Sequence, residues 1–229
     1  MFNGKMKALT FSYDDGITQD IRFIELLDKY GLKATFNICS ELLGKSGTVK
    51  PGGVEVNHTK VNKEDVREIY KNHEIAVHTL THPRLTELSK DEIIRQVEQD
   101  RINLSELAGY EVVGMAYPYG IANDEIAKII EENTGVRYSR TTACTKDFEP
   151  CHNLLQYSST LYHLWWDDLM KLGREFIELK PDSPKVFYIW GHTYEFDIDP
   201  DYWNKIEDFM KLISGKDDIF YGTNREILL

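Results

Sequence analysis

The sequence predicts an α/β fold built on parallel strands. Three observations predict it. Segments rich in apolar and β-branched residues alternate with helical patterns. The chain's 229 residues suit one α/β domain of the barrel kind. Four clusters of reactive side chains each follow a predicted strand, and in parallel α/β folds those strand ends share one face. The order of elements fits a closed barrel and an open doubly wound sheet equally well.

Residues 7–13 (KALTFSY) read as the first strand. Residues 20–30 carry Ile21, Ile24, Leu26 and Leu27 on a helical face, and Gly31 stops that helix. Residues 33–38 (KATFNI) are the second strand. Residues 44–62, with Pro51 and several glycines but no period, read as a loop insertion, for which a lid over a pocket is the expectation. A short helix is expected at 63–71 and a strand at 74–77 (EIAV). The clearest helix runs over 89–107, with Ser89 as N-cap and Glu92 at capping-box spacing. Strands at 111–117 and 136–139 flank a helix at 124–133. A helix at 167–179, a strand at 185–190 (KVFYIW), a helix at 202–213 and a short strand at 218–221 complete the chain. No repeat, low-complexity tract or linker interrupts it, so the expectation is one domain over 1–229.

Lys plus Arg number 27 and Asp plus Glu 38, a net charge of −11. Such an acidic chain is a poor partner for nucleic acid or an anionic membrane surface, both of which need a basic face. No apolar run reaches the ~20 residues of a membrane span. Residues 1–7 lack the basic segment and apolar stretch of a signal peptide, so a cytoplasmic location is expected. Cys39, Cys144 and Cys151 are odd in number and irregularly spaced, and reduced thiols are the plainer reading.

The four clusters are Asp14-Asp15-Gly16, His78-Thr-Leu-Thr-His82-Pro83, Tyr117-Pro118-Tyr119-Gly120 and Gly191-His192-Thr193. In an extended chain His78 and His82 would lie about 13 Å apart, at ~3.3 Å per residue. Two nitrogens on one zinc lie within about 4 Å of each other, so the chain must turn if the pair shares a metal. Thr79 and Thr81 can support that turn and Pro83 blocks a regular helix. Two unrelated histidines remain the alternative. Asp-Gly alone is ordinary turn chemistry. Adjacent carboxylates on a strand point in different directions, however, so one can ligate a metal while the other faces a substrate. One Asp and two His leave positions open for water and substrate, the mark of a catalytic site.

In order, these stretches resemble the polysaccharide deacetylase family, the NodB-homology or carbohydrate esterase family 4 hydrolases. That family reads T-F-D-D-G, H-[ST]-x-x-H-P, an aromatic-Pro-aromatic-Gly loop and a late histidine. Here the matching stretches begin at Thr10, His78, Tyr117 and Trp190, and Lys33-Ala-Thr-Phe36 resembles the family's second strand. The resemblance spans residues 6 to about 195. It implies a distorted (β/α) barrel of about seven strands and a hydrolase that removes N-acetyl or O-acetyl groups from a carbohydrate. Asp15, His78 and His82 would hold a divalent metal: zinc first, with cobalt, nickel or iron as substitutes. Asp14 would be the general base on the attacking water, the backbone N–H of Tyr119 an oxyanion donor, and His192 the general acid.

Two departures stand out. Where many family members carry an arginine before the Pro-aromatic pair, this chain has Met115 and Ala116; Arg140 is the candidate for that charge. The family's aspartate-tryptophan motif is matched only loosely by Trp165, Trp166 and Asp167, and Glu195 is the alternative group to orient His192. Tyr117, Tyr119, Trp165, Trp190 and Tyr194 offer faces for pyranose rings, and His163 is a further pocket candidate; core packing competes for each. Two other functions stay open: a glycan-binding protein that has lost catalysis, and a hydrolase of a non-sugar amide such as a cyclic imide or ureide.

Overall fold

The structure is a computed structural model describing residues 2–229. In chain order its strands are β1 (Lys7–Asp14), β2 (Ala34–Ile38), the short β3 (Thr48–Val49) and β4 (Val56–Asn57), β5 (Glu74–Val77), β6 (Gly114–Ala116), β7 (Tyr138–Cys144), β8 (Tyr157–Ser159), β9 (Leu161–Tyr162), β10 (Lys185–Gly191) and β11 (Ile219–Tyr221). The helices are α1 (Gln19–Lys29), α2 (Val66–Ile69), α3 (Lys90–Ile94), α4 (Asp100–Ala108), α5 (Asp124–Asn133), α6 (Trp166–Glu178), α7 (Tyr202–Ile213) and α8 (Asn224–Leu228).

The main sheet runs β8-β7-β6-β5-β2-β1-β10-β9, and each of its ladders is parallel. Its two ends are one stretch of chain. Residues 157–159 pair with β7 through Arg140↔Tyr157, and residues 161–162 pair with β10 through Ile189↔Leu161. Between them the Thr160 N–H donates to Tyr188 O at 2.8 Å. This stretch closes the sheet into a barrel. Counted once, it gives the ring seven staves: β1, β2, β5, β6, β7, β8 with β9, and β10. β11 is an additional strand that pairs with Lys7–Leu9 of β1, below the point where β2 joins at Phe11. The barrel is distorted there.

β1 is buried along its whole length, and its two faces differ as the pleat requires. Phe11 turns outward, its ring 6.1 Å from that of Phe23 on α1 and 6.3 Å from that of Phe209 on α7. Thr10, Ser12 and Asp14 turn inward. Thr10 Oγ1 donates to Asn224 Oδ1 at 2.8 Å, and Asn37 Nδ2 donates to Ser12 Oγ at 3.0 Å and to Asp14 Oδ1 at 2.8 Å. The interior is thus polar and hydrogen-bonded, while the apolar core lies between strands and helices.

α8 seals the barrel floor. Asn224 Nδ2 donates to Tyr188 Oη at 2.6 Å, the Asn224 N–H to Thr35 Oγ1 at 2.9 Å, and the Arg225 N–H to the buried Glu74 carboxylate at 2.9 Å. Thr223 and Glu226 form a capping box at this helix start.

Several expectations need correction. The strand expected at 136–139 lies at Tyr138–Cys144, the one at 111–117 shrinks to Gly114–Ala116, and α8 and the stretch 157–162 had not been expected. The helix expected over 89–107 is present and runs without a break from residue 90 to 108, with Ser89 Oγ accepting from the Glu92 N–H at 3.4 Å; what had not been expected is the π turn at Arg95–Gln99 inside it. The insertion at 44–62 carries the antiparallel β3–β4 pair and is stitched to the chain after β1. The Thr18 N–H donates to Thr59 O at 2.9 Å, and the Val61 N–H to Gly16 O at 3.0 Å. Its C-terminal part packs against the turn that follows Asp15. Cys39, Cys144 and Cys151 are all free thiols. Among the described residues, no helix is long and apolar enough to cross a membrane.

Candidate active site

Asp14 ends β1 on its inward face, and Asp15 leaves the strand with φ at 88°. That turn separates the two carboxylates. Asp14 is buried against Arg140 of β7, whose Nη2 lies 2.6 Å from Oδ1 and 2.5 Å from Oδ2. Arg140 so occupies, from the neighbouring strand of β6, the place where the sequence offers only Met115 and Ala116. Burial opposes ionisation of Asp14, but Arg140, then His78 and His192, hold its carboxyl below the ordinary value.

Asp15 meets His78 and His82 instead: one donor atom from each lies within 4.8 Å of the other two. The chain turns between the histidines as that approach demands. Thr79 and His82 take φ of 66° and 61°, and the His82 N–H donates to Thr79 Oγ1 at 3.1 Å. The π turn supports this loop: the Leu80 N–H donates to Gln96 O at 3.0 Å, and the Thr81 N–H to Gln96 Oε1 at 3.2 Å. His78 Nδ1 lies 2.8 Å from Ala116 O. A carbonyl only accepts, so Nδ1 carries the proton and Nε2 keeps its lone pair for a cation. Burial lowers the pKa of His78 and takes His82 to about 4, so both rings are neutral near pH 7. A carboxylate and two neutral imidazoles at this spacing fit a divalent cation with open positions.

His192, after β10, faces Asp14 from the far side, its Nε2 3.9 Å from Asp14 Oδ2. Its Nδ1 lies 3.2 Å from Glu195 Oε2, off the line of a good hydrogen bond. The His192 N–H donates to the same oxygen at 3.0 Å. Burial disfavours the charged ring, but Glu195, then Asp14 and Asp15, outweigh it and raise His192 to about 9. Glu195 also accepts from Tyr162 Oη and from His163 Nε2, the latter at 2.8 Å, while His163 Nδ1 lies 2.9 Å from Tyr13 Oη. Glu195 is the carboxylate that stands against the His192 ring. Asp167, at the start of α6, is exposed and outside this network.

Asp14, Asp15, His78, His82 and His192 line a cleft of about 650 Å³ that also takes in Tyr119, Trp190 and Tyr194. Tyr119 has φ at 60°; its half-exposed ring packs 4.6 Å from that of His82, beneath the Arg84 guanidinium at 4.3 Å. Trp190 packs against the Arg140 guanidinium at 4.8 Å. Three residues expected at the substrate lie elsewhere. Tyr117 is buried, its hydroxyl donating to Leu155 O at 2.9 Å. His163 is wholly buried behind Glu195. Trp165 is exposed in a separate groove with Lys146 over its ring at 4.8 Å. Strand periodicity does not distinguish a ring that turns into the core from one that turns to the cleft. Conversely, His58 and Lys60 of the insertion line the cleft and contact Asp15. Nothing in that aperiodic stretch signalled them.

The family described as polysaccharide deacetylase matches residues 2–139. A peptidoglycan-N-acetylglucosamine deacetylase of Listeria monocytogenes is 28% identical over 126 residues, 54% of this chain and 24% of the relative. A peptidoglycan-N-acetylglucosamine deacetylase of Bacillus cereus is 32% identical over 137 residues, 58% of this chain and 43% of the relative. The chain therefore covers about a quarter of the first relative's length and under half of the second's. Among solved structures, the Xyl-CE4 domain of a multidomain xylanase from the hindgut metagenome of Trinervitermes trinervoides superimposes with a TM-score of 0.61 at 16% identity, covering 97% of this chain and 90% of that one. That likeness shows the same fold over nearly the whole chain, and the family match over more than half of the sequence establishes that the chain belongs to the polysaccharide deacetylase family.

Proposed function

We propose that the protein is a zinc-dependent hydrolase that removes N-acetyl groups from amino sugars of a cell-wall glycan. The observation that carries this reading is the division between two adjacent carboxylates: Asp15 converges with two histidines, while Asp14 is held by Arg140 and faces His192. Asp15, His78 and His82 would hold the cation, which supplies Lewis acidity toward the attacking water and the acyl oxygen.

The chain's own groups do the rest. Asp14, ionised and fixed by Arg140, accepts the proton of the attacking water at a carboxylate oxygen. The Tyr119 backbone N–H stabilises the negative charge that develops on the acyl oxygen, a contribution of about 3–4 kcal/mol for a well-placed donor. His192, kept protonated by Glu195, donates its Nε2 proton to the departing nitrogen, because an amine leaves badly unless protonated. Tyr119, Trp190 and Tyr194 give aromatic faces to the sugar.

Asp14→Asn tests the assignment, with acetate release from chitooligosaccharides and peptidoglycan fragments and zinc content measured together. Acetate release should fall by about 10²–10⁴-fold, the worth of a general base, with zinc still bound. Full activity in this variant removes Asp14 from the mechanism.

A further inference from the structure

We infer that His58 is a positioning residue for the metal ligand Asp15, so that the insertion at 44–62 is a component of the cation site. This inference rests on the cation site proposed above. His58 Nε2 lies 2.9 Å from Asp15 Oδ2. A carboxylate only accepts, so Nε2 carries the proton and this nitrogen has no lone pair for a metal. Among the described residues, the donor atoms that converge are those of Asp15, His78 and His82, without His58. His58 therefore acts on the carboxylate. It holds Oδ2 of Asp15, so that Oδ1, 3.4 Å from Lys60 Nζ, is the oxygen that can turn toward the cation.

Asp15 needs such a hold. It sits at φ 88°, beyond the last pair of β1, and its backbone is tied by one bond, from its N–H to Asn37 O at 2.9 Å. His78 gets the equivalent support from Ala116 O. His58 is itself fixed. Its ring packs edge-on against Tyr194 at 5.1 Å, the His58 N–H donates to Gly47 O at 2.8 Å, and Lys60 forms a bridge with Ile17. The segment that carries His58 is therefore anchored to the residues directly after Asp15. Outer-shell partners of this kind are typically worth 10–100-fold in metal affinity.

Lys60 provides the contrast. Its Nζ is 3.4 Å from Asp15 Oδ1 and 3.4 Å from His58 Nε2, and the side chain is buried. An ammonium beside a cation site opposes the cation, so removing it should not weaken binding.

The test is zinc affinity of the full chain by chelator competition, which requires no turnover. His58→Ala should weaken zinc binding by about 10–100-fold. His58→Gln, whose amide can donate from nearly the same place, should recover most of that loss. Lys60→Met should bind zinc as tightly as the parent or tighter. Unchanged affinity in both His58 variants overturns the inference while leaving the cation site standing. Equal weakening in His58→Gln and Lys60→Met also overturns it, because the loop's integrity would then be what matters. If the parent chain itself binds no zinc, this inference and the proposed metal-dependent function fall together.

Discussion

Glu195 shows how one side chain sets the chemistry of another. It accepts from Tyr162, from His163 and from the His192 backbone, and its charge faces the His192 ring. Burial opposes its ionisation, but His192 and His163 hold it far below the usual carboxylate range. The reciprocal effect is the rise of His192 to about 9. A general acid works while it holds its proton, so activity should fall as pH rises through that value. Glu195→Gln removes the negative partner and keeps the hydrogen-bonding shape. The alkaline limb of the kcat/KM profile should then move to lower pH by about one unit or more, since one unit corresponds to ~1.4 kcal/mol of lost charge interaction. A profile whose alkaline limb stays put would assign the limb to another group.

At the scale of elements, the ends of the barrel show what the sequence could and could not reveal. β1, β5 and β10 are short apolar or β-branched runs buried on both faces, and such runs are legible. So were the motif residues at their C-terminal ends, because their chemistry is unusual and ordered. The closing stretch 157–162 (YSSTLY) reads as polar loop, and its strand character exists only through β7 and β10 on either side. The strand at Tyr138–Cys144 reads as cut short at Ser139, because Ser139 and Arg140 interrupt the apolar run, although Thr141 and Thr142 beyond them are β-branched. α8 is too short for a helical period, so its place as the barrel floor could not be read. That role makes a prediction. Asn224→Ala strips the buried Thr10 and Tyr188 hydroxyls of their partner. Leaving buried polar groups unpaired costs about 1–3 kcal/mol each, so urea unfolding should show a lower midpoint and a stability lower by about 2–6 kcal/mol. A midpoint within error of the parent would mean that α8 does not seal the floor.

For the whole molecule, charge is distributed against the net value. The chain carries −11, yet Arg140, Lys60 and the protonated His192 gather around the two aspartates of the cleft. A cation held at Asp15, His78 and His82 ties strands β1 and β5 together at their C-terminal ends, and that link should appear in the stability of the entire fold. A ligand that binds only the folded state stabilises it by about 4 kcal/mol at a thousandfold excess over its Kd. For a domain of this size ~1 kcal/mol shifts Tm by about 2–4 °C, so saturating zinc should raise Tm by roughly 8–16 °C over the chelated protein. The pH dependence has a definite sign. Imidazoles must be neutral to ligate, and burial lowers His78 and takes His82 to about 4. The zinc-induced shift should therefore persist from neutral pH to about pH 5 and disappear as the pH falls through the His82 value, where protons compete with the metal. His82→Ala should remove most of the shift at every pH while changing the Tm of the chelated protein less than the zinc does, because this half-buried ring lies at the cleft and outside the apolar core. Scanning calorimetry with zinc and with chelator, across pH 4–8, checks both statements. A parent protein whose Tm ignores zinc throughout that range would show that these three side chains do not hold a cation.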